Sequence, residues 1–282
     1  MIDKDLFDSY TGVLRKPFLR WTGGKNWLVP HLQTIISKLD FNNYHEPFLG
    51  GGSVFFSLNT NKKSYLSDYN SDLVNTYNNV KNNPEKIIEL LKEFPQNKEF
   101  YNLLREEESD NKIKRAARFI YLNKTSFNGI YRVNKNGKYN VPYGKKSFNI
   151  DLVSELIYSC SLQLQNSIIK TKDFKDFISK VEKNDLVYLD PPYTITHNNN
   201  GFIKYNERLF STVDQMRLSL IIKEIIEKGA YYILSNAHHP DVRKIYDKFG
   251  DKIITLSRKS NISANAESRD LYNEYVFTNI KQ

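Results

Sequence analysis

In this chain of 282 residues, the residues best arranged for chemistry are Asp190-Pro191-Pro192-Tyr193, directly behind the apolar run Leu186-Val187-Tyr188-Leu189. A short β-branched and aromatic run reads as a buried strand. Two successive prolines cannot continue its pairing, so the strand must stop in a fixed turn at Asp190. An acid and an aromatic ring are thereby presented together at a strand's carboxyl end, the edge where open α/β sheets bind ligands. Asp190 offers a hydrogen-bond acceptor, the prolines offer carbonyls outside any ladder, and Tyr193 offers a face for stacking. The set suits a planar ring bearing an amino group, such as a nucleobase. An ordinary Asp-Pro turn with a packed tyrosine would use the same four residues.

A second element is Glu46-Pro47-Phe48-Leu49-Gly50-Gly51-Gly52-Ser53, followed by Val54-Phe55-Phe56. Consecutive glycines between a strand and a helix let backbone N–H groups approach a ligand closely. Asp68, at the end of the strand-like Ser64–Ser67, stands where a Rossmann-like sheet carries an acid for ribose hydroxyls. A dinucleotide fits this much equally well, and it is Asp190-Pro191-Pro192-Tyr193 that turns the reading from hydride transfer to methyl transfer. A third element, Trp21-Thr22-Gly23-Gly24-Lys25, has the flavour of a phosphate loop. Asn26 follows the lysine and the first glycine of that motif is missing, which excludes an ATPase loop.

The elements that position these residues fall into two stretches of strand–helix alternation. One runs from the start to about residue 75; the other resumes near Lys170, with a strand at Asp185–Leu189, a helix at Val213–Lys228 and a strand at Tyr231–Leu234. The segment between them is charged and rich in Asn and Lys. It reads as a helix at Pro84–Phe94, another at Ile113–Lys124, and then a hairpin turning at Asn136-Gly137 with type I′ chemistry, between strands Ile130–Lys135 and Lys138–Pro142. In that hairpin Ile130, Arg132 and Asn134 share one face, opposite Tyr131 and Val133. A two-stranded ribbon fits a DNA major groove; on residues alone, an edge kept soluble by Arg and Lys explains it as well.

In the order Trp-Thr-Gly-Gly-Lys, Glu-Pro-Phe-Leu-Gly-Gly-Gly, Asp-Pro-Pro-Tyr, the chain resembles the Dam family of DNA adenine-N6 methyltransferases, alpha group, from about Pro17 to about Asn279. Phe127-Asn128-Gly129-Ile130-Tyr131-Arg132-Val133-Asn134, with Tyr139–Gly144 behind it, is similar to that family's DNA-reading hairpin. The resemblance implies an α/β fold: a Rossmann-like, S-adenosylmethionine-dependent methyltransferase sheet from residues 1–75 and 163–282, with an inserted, mostly α-helical target-recognition domain at 76–162 bearing the β-hairpin. It implies cofactor contacts from Trp21, Lys25, Glu46, Phe48, Gly50, Gly52, Asp68, Asp173, Phe174 and Asp190. Catalysis would fall to Asp190, Pro191, Pro192 and Tyr193, with Asp190 and the Pro191 carbonyl accepting from the target amino group and Tyr193 stacking on a flipped base. DNA contacts would come from Arg20, Phe127, Asn128, Ile130, Arg132, Asn134 and Pro142, with Arg132 reading guanine. The implied target is GATC, or a longer relative such as GATATC. Arg20 departs from the family's lysine, which puts its contact in doubt and not the activity.

Composition agrees with a polyanionic partner: 41 Lys+Arg against 32 Asp+Glu and a net charge of +9. One cysteine, Cys160, excludes an intrachain disulfide and a Cys-based zinc site, so a reducing cytoplasm is the expected home. No membrane-spanning run is expected, and no metal. His238-His239 lacks a third ligand at useful spacing and reads as a loop pair. Lys112, Lys114, Arg115 and Arg118 make a basic helical stretch that suits either phosphates or solvent. Ser257–Arg269 reads as a loop able to clasp the DNA backbone, and a restriction endonuclease is a conceivable functional companion. The rivals are an amino methyltransferase for cytosine N4, RNA or protein amide, and a DNA-binding subunit without catalysis.

Overall fold

The computed structural model describes residues 16–58, 60–193, 210–249, 252–259 and 271–281. Its frame is a seven-stranded sheet in the order β3-β2-β1-β4-β5-β7-β6, with β1 Tyr44–Glu46, β2 Ser64–Asp68, β3 Ser167–Thr171, β4 Leu186–Leu189, β5 Tyr231–Ala237, β6 Lys252–Lys259 and β7 Leu271–Thr278. Strands β2, β1, β4 and β5 run parallel. The β6–β7 pair is antiparallel, and β7 lies antiparallel to β5. The strand order reverses between β1 and β4, which makes their carboxyl ends the switch point where a ligand crevice forms in a Rossmann-like sheet.

The chain divides into two compact units. The first takes the described residues within Met1–Pro30, Leu49–Asn61 and Ser67–Thr171. Its helices, after the short α2 Ser53–Leu58, are α3 Ser71–Asn82, α4 Pro84–Glu93, α5 Lys98–Glu106, α6 Lys112–Thr125 and α7 Ile150–Leu164. The abundance of asparagine here has a local cause. Asn70, Asn97, Asn111 and Asn149 each stand at an N-cap, and each side chain accepts from the first-turn N–H groups of α3, α5, α6 and α7 respectively, a bond usually contributing about 1 kcal/mol. Pro84 opens α4, where its missing N–H costs nothing. Apolar residues such as Leu73, Tyr77, Ile87, Leu91, Ile120 and Ile157 then close the core.

The second unit takes the described residues within His31–Phe48, Lys62–Leu66 and Lys172–Gln282, with α1 Val29–Ile36 at its boundary, α8 Thr212–Glu227 and α9 Pro240–Tyr246. Val187, Leu189, Leu218, Ile222, Ile225, Tyr232, Leu234 and Phe277 form its core. Every residue of β4 is buried, as its unbroken apolar run requires of a central parallel strand. At the far end of β4 the buried Asp185 bonds His45 Nε2 at 2.8 Å and Asn43 N at 3.0 Å. Burial lowers the His45 pKa despite that carboxylate.

The helices expected at Pro84–Phe94, Ile113–Lys124 and Val213–Lys228 are present to within a residue or two, and the strand expected at Tyr231–Leu234 runs on to Ala237. The hairpin is built differently from the expectation. Its two arms meet in a single bridge, Val133 to Tyr139, and carry no continuous strands. Type I′ geometry would need positive φ at Asn136; only Gly137 has it, at +77°. The turn is instead closed from Asn134, whose Oδ1 accepts from Asn136 N and Lys138 N at 2.9 and 3.0 Å, while Gly137 N reaches the Asn134 carbonyl at 3.0 Å. This is the three-residue loop with a left-handed glycine, in which a side chain does the work assigned to the dipeptide. Ser257–Lys259, expected in a loop, belong to β6 paired with β7; the rest of that expected clasp lies outside the described residues. No helix among the described residues is long and apolar enough to cross a membrane.

Candidate active site

In the second unit, β4 delivers Asp190 to the sheet edge, with Pro191 buried behind it. Ser235 Oγ on β5 donates to Asp190 Oδ1 at 2.9 Å, and the Tyr188 hydroxyl lies 2.9 Å from the same Oγ. Tyr193 donates its hydroxyl to Glu274 on β7, a carboxylate only 2% exposed. Burial, with the charges of Glu274 and Asp190, pushes the Tyr193 pKa far up and keeps the hydroxyl protonated. On the neighbouring strand Glu46 accepts from the Tyr44 hydroxyl at 2.8 Å. Because β1 and β4 are parallel and adjacent, Glu46 and Asp190 finish on the same edge.

Beside them Phe48 stacks on Phe174 with ring centroids 5.3 Å apart. Asp173 caps the short turn at Phe174–Lys180 through Lys175 N at 3.0 Å and pairs with Arg217 at 3.2 Å. The Arg217 guanidinium also lies over the Phe174 ring, 4.9 Å from its centroid. Thus Phe48, Asp173 and Phe174 form one cluster, with Arg217 on α8 as a member the sequence reading missed.

In the first unit the glycine turn is held from several sides. Gly50 N donates to Asp68 Oδ2 at 2.9 Å, Asn70 N to Asp68 Oδ1 at 2.9 Å, and the Tyr77 hydroxyl to the Gly50 carbonyl at 2.9 Å. Burial raises the Asp68 pKa, against the opposing pull of those N–H bonds. Gly50 has φ +48°, and a Cβ there would stand 2.9 Å from Trp21 Cδ1; one at Gly51 would stand 2.8 Å from Trp21 Cβ. Only glycine lets the turn rest on that indole. Trp21 stacks in turn on Tyr131, centroids 5.5 Å apart and planes 21° from parallel. Lys25 is buried, and Tyr69, next to Asp68, is 80% exposed.

The hairpin residues also lie in the first unit. Phe127 N donates to the Pro142 carbonyl at 2.9 Å, which sets these two side by side. Phe127, Asn128, Arg132, Asn134 and Pro142 are exposed, and Ile130 is half-buried. Asn128 holds a left-handed φ of 55°, a strained conformation of the sort found at functional turns. Arg132 is braced by Asn140, with Nε 2.8 Å from Oδ1 and Nη2 2.9 Å from the carbonyl. Tyr131 and Val133 point the other way, as the alternation predicts. Arg20 is exposed while its backbone is clamped by Asn123, which also reaches the Gly129 carbonyl at 3.2 Å. Arg20, Phe127, Asn128 and Pro142 are thereby tied together through one buried asparagine and the chain around it.

The basic helix resolves unevenly. Arg118 donates to the Leu104 and Arg105 carbonyls, both at 2.6 Å, and Arg115 pairs with Asp72. These guanidiniums are occupied by internal partners, whereas Lys112 and Lys114 are exposed. His239 caps α9, and His238 lies on the Tyr275 ring at 4.2 Å. Ser235, Glu274, Tyr77 and Asn123 escaped the sequence reading; Ser235 and Glu274 are polar residues inside largely apolar strands, the signal that could have flagged them, whereas Tyr77 and Asn123 sit in polar helices where nothing sets them apart.

The model of the D12 class of N6 adenine-specific DNA methyltransferases matches residues 21–262. The chain is 38% identical to the type II methyltransferase M1.LlaDCHI of Lactococcus lactis subsp. cremoris, covering 94% of this chain and 95% of the relative. It is 35% identical to M.MjaIII of Methanocaldococcus jannaschii, over 91% and 96%. The DNA adenine methylase of Escherichia coli (strain K12) is 31% identical, over 93% and 94%. The chain belongs to the D12 class of N6 adenine-specific DNA methyltransferases.

Proposed function

We propose that the enzyme moves a methyl group from S-adenosylmethionine to N6 of adenine in double-stranded DNA, with GATC as its site. Residues 76–162 would form the target-recognition segment, and residues 1–75 and 163–282 the catalytic part. The observation that carries the reading is the braced Asp190 carboxylate at the end of β4, with Tyr193 anchored behind it by Glu274.

The adenine amino lone pair is delocalised into its ring and attacks poorly. A hydrogen bond to Asp190 and another to the Pro191 carbonyl draw on both N–H bonds and favour a tetrahedral nitrogen. Tyr193 gives the extruded base a face to stack on. Positioning and electrostatics of this kind supply most of the acceleration in such transfers. When bound, S-adenosylmethionine supplies an electrophilic methyl. The residues fit that cofactor: the Gly50–Gly52 turn packs so tightly on Trp21 and Phe56 that no Cβ fits, which keeps its backbone bare for close approach, and Asp68 fixes the turn while retaining lone pairs for ribose hydroxyls. Trp21, Lys25 and Glu46 would complete the amino-acid end, and Phe48, Asp173 and Phe174 the adenine end.

On the hairpin, Arg132 would read guanine, with Ile130, Asn134 and Pro142 alongside and Phe127 and Asn128 acting where the base leaves the stack; Arg20 would reach guanine or phosphate. The names of the type II relatives favour a restriction endonuclease as functional companion. The test is to map methylated adenines in cells expressing this chain alone. N6-methyladenine at GATC is expected, and its loss with Asp190→Ala; methylation confined to cytosine, or retained by a folded Asp190→Ala protein, would refute the mechanism, while another adenine motif would refute GATC alone.

A further inference from the structure

Ser235 is fully buried on β5. Leu189 pairs with Leu234 across the parallel ladder, so Ser235 stands one step further along, level with Asp190. Its Oγ sits 2.9 Å from Asp190 Oδ1 and 2.9 Å from the Tyr188 hydroxyl. A carboxylate only accepts. The Ser235 proton therefore lies on the bond to Asp190, and the Tyr188 hydroxyl must donate to Ser235. Hydrogen-bond polarity runs one way, Tyr188 to Ser235 to Asp190, and it ends on the acid.

We infer that Ser235 and Tyr188 are positioning residues for methyl transfer, setting the plane of the Asp190 carboxylate. The inference rests on the reading that Asp190 accepts from the target amino group. Rotation about the last bond of an aspartate is soft, and the strand end fixes the backbone alone. A donor on Oδ1 selects one orientation, and with it the direction in which the carboxylate faces a substrate. Neither Ser235 nor Tyr188 needs to touch the base, since both act through Asp190.

The experiment measures kcat, the KM values for DNA and cofactor, and unfolding midpoints for the full chain carrying Ser235→Ala, Tyr188→Phe, both together, and Asp190→Ala. Misplacement of a reacting group by about 1 Å costs on the order of 100-fold, so Ser235→Ala is expected to lower kcat by roughly 10- to 100-fold with little change in either KM. It also strands the buried Tyr188 hydroxyl and lowers the midpoint. The double variant removes that orphan group, because replacing both partners of a bond is close to neutral. It should recover the midpoint while kcat stays at the Ser235→Ala level, and Tyr188→Phe alone should lose less. If kcat recovers together with stability, or if the two losses multiply, the pair is merely structural and the inference falls. Normal kcat in Ser235→Ala overturns it while Asp190→Ala stays inactive; activity in Asp190→Ala overturns the reading beneath it.

Discussion

Lys124, in the last turn of α6, is expected to make the enzyme more stable as the solution turns alkaline, over a defined window. Burial, assisted by the nearby Arg20 cation, lowers its pKa from 10.5 to about 8. Below pH 8 the ammonium is charged in both folded and unfolded chains, and the folded state bears the full desolvation cost. Between about 8 and 10.5 the folded protein releases the proton while the unfolded chain keeps it, so that cost fades; above 10.5 neither form is charged. Each pH unit in that window is worth about 1.4 kcal/mol, which makes about 3 kcal/mol the ceiling. Lys124→Met keeps the aliphatic stem and removes the charge. It should stabilise the protein at pH 7 by about 1–3 kcal/mol, the lower figure if water reaches the half-buried amine. Urea midpoints of the two proteins at pH 7, 8, 9 and 10, compared pairwise, measure the difference while all other titrations cancel. The gap should stay level to about pH 8 and then close. A pH-independent gap, or a Lys124→Met protein less stable than its parent at pH 7, would refute the assignment.

Gly50→Ala places a methyl 2.9 Å from the Trp21 ring at a φ of +48°; it should cost about 1–3 kcal/mol in stability and weaken cofactor binding in a calorimetric titration, and unchanged affinity would contradict the role given to this turn. Arg118→Met and Arg132→Ala should separate scaffold from interface. The first strips donors from two carbonyls, costing about 1–3 kcal/mol, and should leave the salt dependence of DNA binding unaltered. The second should relax selectivity at a single guanine position by roughly 1–3 kcal/mol, measured on an otherwise identical set of duplexes; a loss uniform over all sequences would make Arg132 a phosphate contact.

Much of this was legible in the chain because Asp190-Pro191-Pro192-Tyr193 and Glu46–Ser53 combine a local conformational demand with a chemical one. Prolines end a strand and glycines bend a loop wherever they occur, so these motifs carry their geometry with them. The hairpin turn was misread because Asn136-Gly137 satisfies a type I′ template locally, and the competing cap from Asn134 Oδ1 becomes visible only once Lys138 is folded back against it. Arg118 shows a different blindness. Its charge pattern is that of a phosphate contact, whereas its fate was decided by two carbonyls at the end of α5. Ser235 and Glu274 depend on which strands become neighbours, and in this sheet β5 neighbours β4 on one side and β7 on the other. No run of residues around either position announces that order.

The indole of Trp21 presses on Gly50 and Gly51 and also stacks on two rings, Tyr131 at 5.5 Å and Phe119 at 6.3 Å, which themselves lie 5.3 Å apart. Grafting a relative's hairpin onto this chain would therefore exchange more than exposed side chains such as Arg132. A graft that brings a small side chain to position 131 removes one of the two rings against which the indole rests and leaves Phe119 to hold it alone. The unit that carries its own packing is the hairpin together with its ring partners at 21 and 119, so a library that varies the hairpin should keep an aromatic ring at position 131.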